Sequence, residues 1–233
     1  MKSHDVTSLL IVCGVGLLQF TAFRALHEYH VCMHILVVTL CFVLRNYSLL
    51  HMVNEQGETY PREYYMYLIQ SSLVEGVSNL GIQRFFIMRE LKVNIVCEIP
   101  CVILSCLFFE VIYEVCHYWT HRLLHEKTMY AWFHKTHHKF WCPRGIHAFY
   151  QHPMDIVISH SVPCVIAVIM LPNMSGVYYH CSLVYKQYYD ICIHSNPESD
   201  HRLHHSVSKY NYGKGISLWD TIFRTYSHKN KIR

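Results

Sequence analysis

The chain has 233 residues, enough for one compact domain with a sizeable core, or for two only if both are small. Charged residues make up only 15% and hydrophobic ones 52%, against about 25% charged in a typical soluble domain, which disfavours a soluble fold and points to a polytopic membrane protein. The net charge is +4 with histidine neutral; with no basic stripe and no base-stacking motif it gives no footprint for nucleic acid, and fits a surface beside anionic lipid headgroups.

In chain order, Val6 to Phe23 is an uncharged run of 18 residues. Bulky Phe23 and charged Arg24 follow it where a signal peptide would carry small residues, so a retained membrane span is expected. Val31 to Leu44 is a shorter run, marginal as a full crossing. Asn54 to Arg62 reads as a polar loop. Tyr64 to Leu80 is aromatic and amphipathic with Glu75 inside it, fit to cross a membrane or lie in its interface. Ile95 to Cys116 is apolar but carries Glu98, Glu110 and Glu114. A polar, histidine-rich stretch runs from His117 to Asp155. Ile156 to Leu171 and Ser175 to Ile193 form an apolar hairpin about a Pro172-Asn173 turn, and a second histidine stretch follows from His194 to His205. The 11 cysteines lie mostly in apolar runs and form no C-x-x-C pair, so they are expected to be reduced.

At about 1.5 Å per residue, each arm of the hairpin crosses most of a bilayer core. Two crossings bring the chain back to its starting side, so histidines before residue 156 and after residue 193 can meet. Lys127, Lys135, Lys139 and Arg144 mark that side as cytosolic. The last residues, Lys229 to Arg233, read K-x-K-x-x, which resembles a dilysine retrieval signal of endoplasmic-reticulum membrane proteins.

Of 20 histidines, 14 fall between His117 and His205. His117, His121 and His125 recur every fourth residue and share one helical face, with Glu110 and Glu114 further back on the same stripe. His134, His137 and His138 form H-x-x-H-H, and His201, His204 and His205 repeat it. On a helix those positions project together, so each box offers two or three nitrogens to one centre. A structural zinc needs about four ligands. The eight histidines from His121 to His205 in the three boxes exceed that and suit a pair of ions. Imidazole is a neutral ligand that binds iron, zinc and copper. Ions so held keep a high positive charge, which suits oxidation of an alkyl C–H bond, chemistry that no side chain supplies.

These boxes resemble those of the fatty acid hydroxylase / sterol desaturase superfamily, over roughly His117 to Tyr226. His121-Arg122-Leu123-Leu124-His125 is similar to the family's H-R-x-x-H, and His134-Lys135-Thr136-His137-His138 to its H-K-x-H-H. Cys142 to Asp155 resembles the P-x-G-x-x-A-x-Y-x-H-P-x-E segment of 4-methylsterol oxidases, with Asp155 where glutamate is usual. HRLHH, then KYNYG and LWD, complete the pattern. Departures are His194-Ser195-Asn196 for H-S-G, Arg202 after His201, and Phe223-Arg224-Thr225 for F-G-T; they leave the boxes intact.

The resemblance implies two iron ions, replaceable by zinc on overexpression, and dioxygen as co-substrate. It implies electrons from cytochrome b5 or a reductase, and a sterol or fatty-acyl lipid as substrate, hydroxylated or desaturated. It implies ligand roles for the eight box histidines and for His152 and His194. His117, His147, Glu110 and Glu114 are expected as positioning partners or further ligands. The expected architecture is all-α: polytopic membrane helices, with residues 1–94 as N-terminal membrane segments. Residues 95–233 form the catalytic domain, bearing a cytosolic, helical, histidine-rich di-metal cap in the endoplasmic-reticulum membrane. Competing readings are an acyl-lipid desaturase of the other three-histidine-box class, with different box spacing, and a non-enzymatic metal-binding membrane protein, whose ligands would lie inside the spans.

Overall fold

The computed structural model describes residues 31–53, 59–86, 95–171, 176–215 and 217–227. The expected span Val6 to Phe23, most of the Asn54 to Arg62 loop, the Pro172-Asn173 turn and the Lys229 to Arg233 tail lie outside them. All regular structure among the described residues is helical. The long helices are α1 (Val31–Val53), α2 (Arg62–Phe86), α3 (Ile95–Leu124), α4 (Pro153–Met170, with a π turn at Val157–Ser161) and α5 (Gly176–Ser195). Two short helices follow, α6 (Asp200–Val207) and α7 (Leu218–Ile222).

Helix α1 runs nine residues beyond the apolar stretch that was expected to end at Leu44. Arg45 and Asn46, which break the apolar pattern, are matched inside the protein. Arg45 Nη2 donates to Glu75 Oε2 on α2 at 2.8 Å, and Asn46 Nδ2 donates to Ser72 Oγ at 3.0 Å. A paired and hydrogen-bonded charge can sit where an isolated one could not. Ile35–Val53 and Pro153–Met170 are long and apolar enough to cross a membrane.

The bundle carries buried ion pairs within an apolar core and an apolar outer face. Its core joins five helices through Val38, Phe42, Ile82, Phe109, Tyr113, Cys164 and Leu183. Between these apolar groups run ion pairs, Arg45–Glu75 at 2.8 Å, Lys186–Glu110 at 2.7 Å and Lys214–Asp190 at 2.8 Å. On the outside, Leu36, Leu40 and Leu44 of α1 and Ile103, Leu104, Leu107, Phe108 and Val111 of α3 are 49–61% exposed. Soluble monomers rarely present apolar patches of that extent; hydrocarbon is the solvent that suits them.

Beyond the bundle, α3 ends at Leu124 and the chain folds over its tip. Residues 127–149 pass through a π turn (Tyr130–His134) and two 3-10 turns (His137–Lys139 and Gly145–Phe149). Helix α4 then starts with Pro153 in its first turn and His152 as its N-cap. Ser199 caps α6, its hydroxyl accepting from Arg202 N at 3.1 Å.

Candidate metal centre

The cap gathers nine histidines into two groups. His121, His125, His134, His138 and His204 form one, and His137, His194, His201 and His205 the other, with the ligand atoms of each group within 4.8 Å of one another. The groups adjoin: the rings of His138 and His205 lie 4.6 Å apart and those of His134 and His137 5.3 Å.

Local backbone explains how each H-x-x-H-H box divides. On α6, His201 and His205 are one turn apart and point to the four-histidine group, while His204 turns to the other. The second box does the converse: His134 and His138 join the five-histidine group and His137 crosses over. It lies on a π turn and a 3-10 turn rather than on one α-helix. Each H-x-x-H-H box therefore spans both groups, where sequence spacing alone assigned one centre to each, whereas His121 and His125 of the first box share one group.

Their hydrogen bonds fix which nitrogens face inward. His121 Nδ1 donates to Tyr212 O at 2.8 Å, and His134 Nδ1 to Asp155 Oδ2 at 2.8 Å. These partners are acceptors, so both Nε2 atoms carry lone pairs, and those atoms are 3.1 Å apart. Two lone pairs that close repel unless a proton or a cation lies between them. His204 is set in the same way, with Nδ1 donating to Tyr210 O at 2.6 Å and a buried Nε2 that has no protein partner. In the other group, His194 Nδ1 donates to Asp190 O at 2.7 Å, and His194 Nε2 faces His201 Nε2 at 3.2 Å and His205 Nε2 at 3.3 Å. Buried, convergent, unprotonated nitrogens fit a pair of transition-metal ions.

Electrostatics agree. Desolvation, reinforced by neighbouring imidazoles, holds His137, His138, His201, His204 and His205 well below the usual histidine range of about 6.5. Desolvation, with His204, His121 and His134, also lowers His125. Lone pairs are thus free at neutral pH without competition from protons.

The remaining sequence-expected residues lie elsewhere. His152 is outside both groups; its Nδ1 caps α4, accepting from Met154 N at 3.2 Å. Its ring packs beside Phe133, with centroids 5.4 Å apart. His147 stacks on Phe140 at 3.7 Å, and its Nδ1 accepts from Arg144 N at 3.1 Å. His117 donates from Nδ1 to Ser159 O at 2.8 Å and packs 5.3 Å from the His121 ring. Glu110 pairs with Lys186, and Glu114 accepts from Gly215 N at 3.0 Å. Asp155 and the backbone carbonyls of Tyr210 and Tyr212 touch the histidines, and sequence reasoning did not single them out as partners. Asp155 carried a signal, as the acidic residue closing the H-P-x-D stretch; the carbonyls carry none, since any residue supplies one.

A cavity of about 20 Å³ opens among His117, His121, His137, Asp155, His160 and His194, room for about one water-sized molecule. A larger one, about 340 Å³, lies beside His201 and Lys214, walled by the end of α5, the start of α6 and the chain from Asn211 to Asp220.

The fatty acid hydroxylase family model matches residues 106–225, a stretch holding every histidine of both groups. The chain belongs to the fatty acid hydroxylase family. It is 31% identical to methylsterol monooxygenase 1 of Rattus norvegicus, over 52% of this chain and 45% of that protein. To the Delta(7)-sterol 5(6)-desaturase of Leptosphaeria maculans it is 29% identical, over 53% of this chain and 37% of that protein. A very-long-chain aldehyde decarbonylase of Oryza sativa subsp. indica is 31% identical, over 50% of this chain and 52% of that protein. The matches thus span about half, or less, of these relatives. No solved structure matches the chain.

Proposed function

We propose that this protein is a di-iron oxygenase of the endoplasmic-reticulum membrane. It uses dioxygen and electrons from a cytochrome b5-type donor to hydroxylate or desaturate a lipid, a 4-methylsterol-like sterol or a fatty-acyl chain. The observation that carries the reading is the facing of His121 and His134, with Nε2 atoms 3.1 Å apart and both Nδ1 atoms engaged in donation. When bound, the ions supply what the side chains lack, activation of dioxygen and removal of a hydrogen atom from an unactivated C–H bond. The ligands would be His121, His125, His134, His138 and His204 for one ion and His137, His194, His201 and His205 for the other.

The protein itself orients and insulates. Asp155 and the carbonyls of Tyr210 and Tyr212 hold three imidazoles in one tautomer. The small cavity has room for about one water-sized molecule, and the larger one beside His201 is of a size to admit part of a lipid. Residues 1–94 would serve as membrane segments and 95–233 as the catalytic domain. Lys127, Lys135, Lys139 and Arg144 support a cytosolic face for the cap, where soluble electron donors can dock.

Lipid analysis of a sterol-auxotrophic host with and without the chain, grown under oxygen-18 gas, tests this. A lipid that gains one labelled oxygen identifies hydroxylation, and one that loses two hydrogens identifies desaturation. An unchanged sterol and acyl-lipid profile refutes the activity.

A further inference from the structure

The segment 210–213 crosses the mouth of the histidine cap and joins it to the C-terminal part of the chain. The backbone N–H of three of its four residues is bonded within the C-terminal part. Asn211 sits in the left-handed region, φ 59°, which asparagine tolerates. Its N–H donates to Thr225 O at 2.8 Å, its side-chain Oδ1 accepts from Ser227 N at 2.9 Å, and its Nδ2 donates to Ser227 O at 3.0 Å and, more weakly, to Asp200 O at the start of α6 at 3.3 Å. Tyr212 N and Gly213 N donate to the two carboxylate oxygens of Asp220, at 2.8 and 2.7 Å. Asp220 is 1% exposed, and Thr225 Oγ1 donates a third bond to it at 2.8 Å. The carbonyls left pointing the other way are those of Tyr210 and Tyr212, which take the Nδ1–H of His204 and His121.

Both histidines belong to the five-histidine group. The four-histidine group takes no bond from this segment among the described residues, and the Nδ1 atoms of His137, His201 and His205 have no protein partner. The two groups are therefore inequivalent in how their ligands are held. We propose that Asp220 is a positioning residue for one metal ion of the pair. It acts through the backbone of residues 210–213, so that its loss loosens the five-histidine site and spares the four-histidine site. This rests on the paired-metal reading above and deepens it, since it gives the two ions different protein support.

The test is a metal titration, with no turnover required. Full-length protein in detergent is stripped with a chelator, checked for helicity by circular dichroism, and titrated with zinc(II) against a chromophoric competitor. The wild type is expected to bind two ions. Asp220→Asn keeps the size but presents an N–H₂ to one of the two backbone donors. It should weaken one ion by about 10–100-fold, the range for loss of a ligand's supporting partner, and leave the other unchanged. Asn211→Gly keeps access to positive φ while removing the side-chain bonds to Ser227 and the longer one to Asp200, and should weaken the same ion more than the other, to a smaller degree than Asp220→Asn does. If Asp220→Asn loses its helicity, Asn211→Gly decides by the same criterion. Equal weakening of both ions, or no change in either, overturns the proposal. A wild type that binds one ion defeats the paired-metal reading instead, and the role of Asp220 is then judged by whether its replacement weakens that ion.

Discussion

Asp155→Asn removes one charge and almost no volume from the centre. Asp155 is 1% exposed and accepts the His134 Nδ1–H at 2.8 Å. The asparagine carbonyl can accept the same bond, so the ring stays in place; what changes is the strength of the bond and the electron density passed through the ring to Nε2. A hydrogen bond to a charged group contributes about 1.5–3 kcal/mol and one between neutral groups about 0.5–1.5, a difference of about 1–1.5 kcal/mol. Loss of a carboxylate behind a metal-binding histidine costs about 10–100-fold in affinity, which at 1.36 kcal/mol per tenfold is about 1.4–2.7 kcal/mol. The two routes overlap near a tenfold effect, so a fall of at least about tenfold is expected. Zinc(II) competition on the stripped, helical protein measures it, and oxygen-dependent turnover should fall with it. An affinity within about threefold of wild type, below the range for such partners, would refute the role given to Asp155.

Replacing His138 or His204 by alanine should abolish turnover while circular dichroism stays wild-type, because each removes a nitrogen from the five-histidine group; product formation near the wild-type rate by either variant counts against its ligand role. The metal-free chain should lose stability as pH falls below about 6.5. His137, His138, His201, His204 and His205 are held neutral by burial when folded and take protons when unfolded, so the unfolded state binds more protons in that window. At about pH 5 the loss reaches about 2 kcal/mol for each such group, and a denaturation midpoint flat from pH 7 to 5 contradicts it. Glu75→Gln leaves the Arg45 charge buried without its partner and should destabilise the bundle by about 3–5 kcal/mol, whereas a joint Arg45→Met, Glu75→Met change should cost less; equal effects in thermal unfolding would deny the pairing. Cys142 is exposed beside the cap, so a membrane-impermeant thiol reagent should label it in sealed, right-side-out microsomes. Labelling only after detergent would put the cap in the lumen.

Much of the architecture is legible in the sequence because two signals are strong. Apolar runs marked α1, α3, α4 and α5, and regular histidine spacing marked the cap. The places where the reading shifted share a cause: partners distant in sequence. Arg45 looked like the end of a span because Glu75, 30 residues on, could not be paired with it beforehand. His137 and His138 are neighbours that serve different groups, as His204 and His205 do on α6, because adjacent residues on a helical turn point in different directions. His152, expected as a ligand from its motif, lies outside both groups, with its Nδ1 at a helix start. Glu110 and Glu114 share the histidine stripe of α3, but they face Lys186 and Gly215 rather than imidazoles. A β-carbon at Gly215 would meet Glu114 Oε1 at 3.1 Å, so that approach favours glycine, a requirement that the sequence alone does not announce.

The central claim is that two ions sit in the two histidine groups. The most direct measurement is the metal-to-protein ratio of full-length, folded protein purified from iron-replete cells, by elemental mass spectrometry against amino-acid analysis. The account predicts two transition-metal ions per chain, one for each group, with zinc counted where it has replaced iron. One ion per chain, or none, would contradict it.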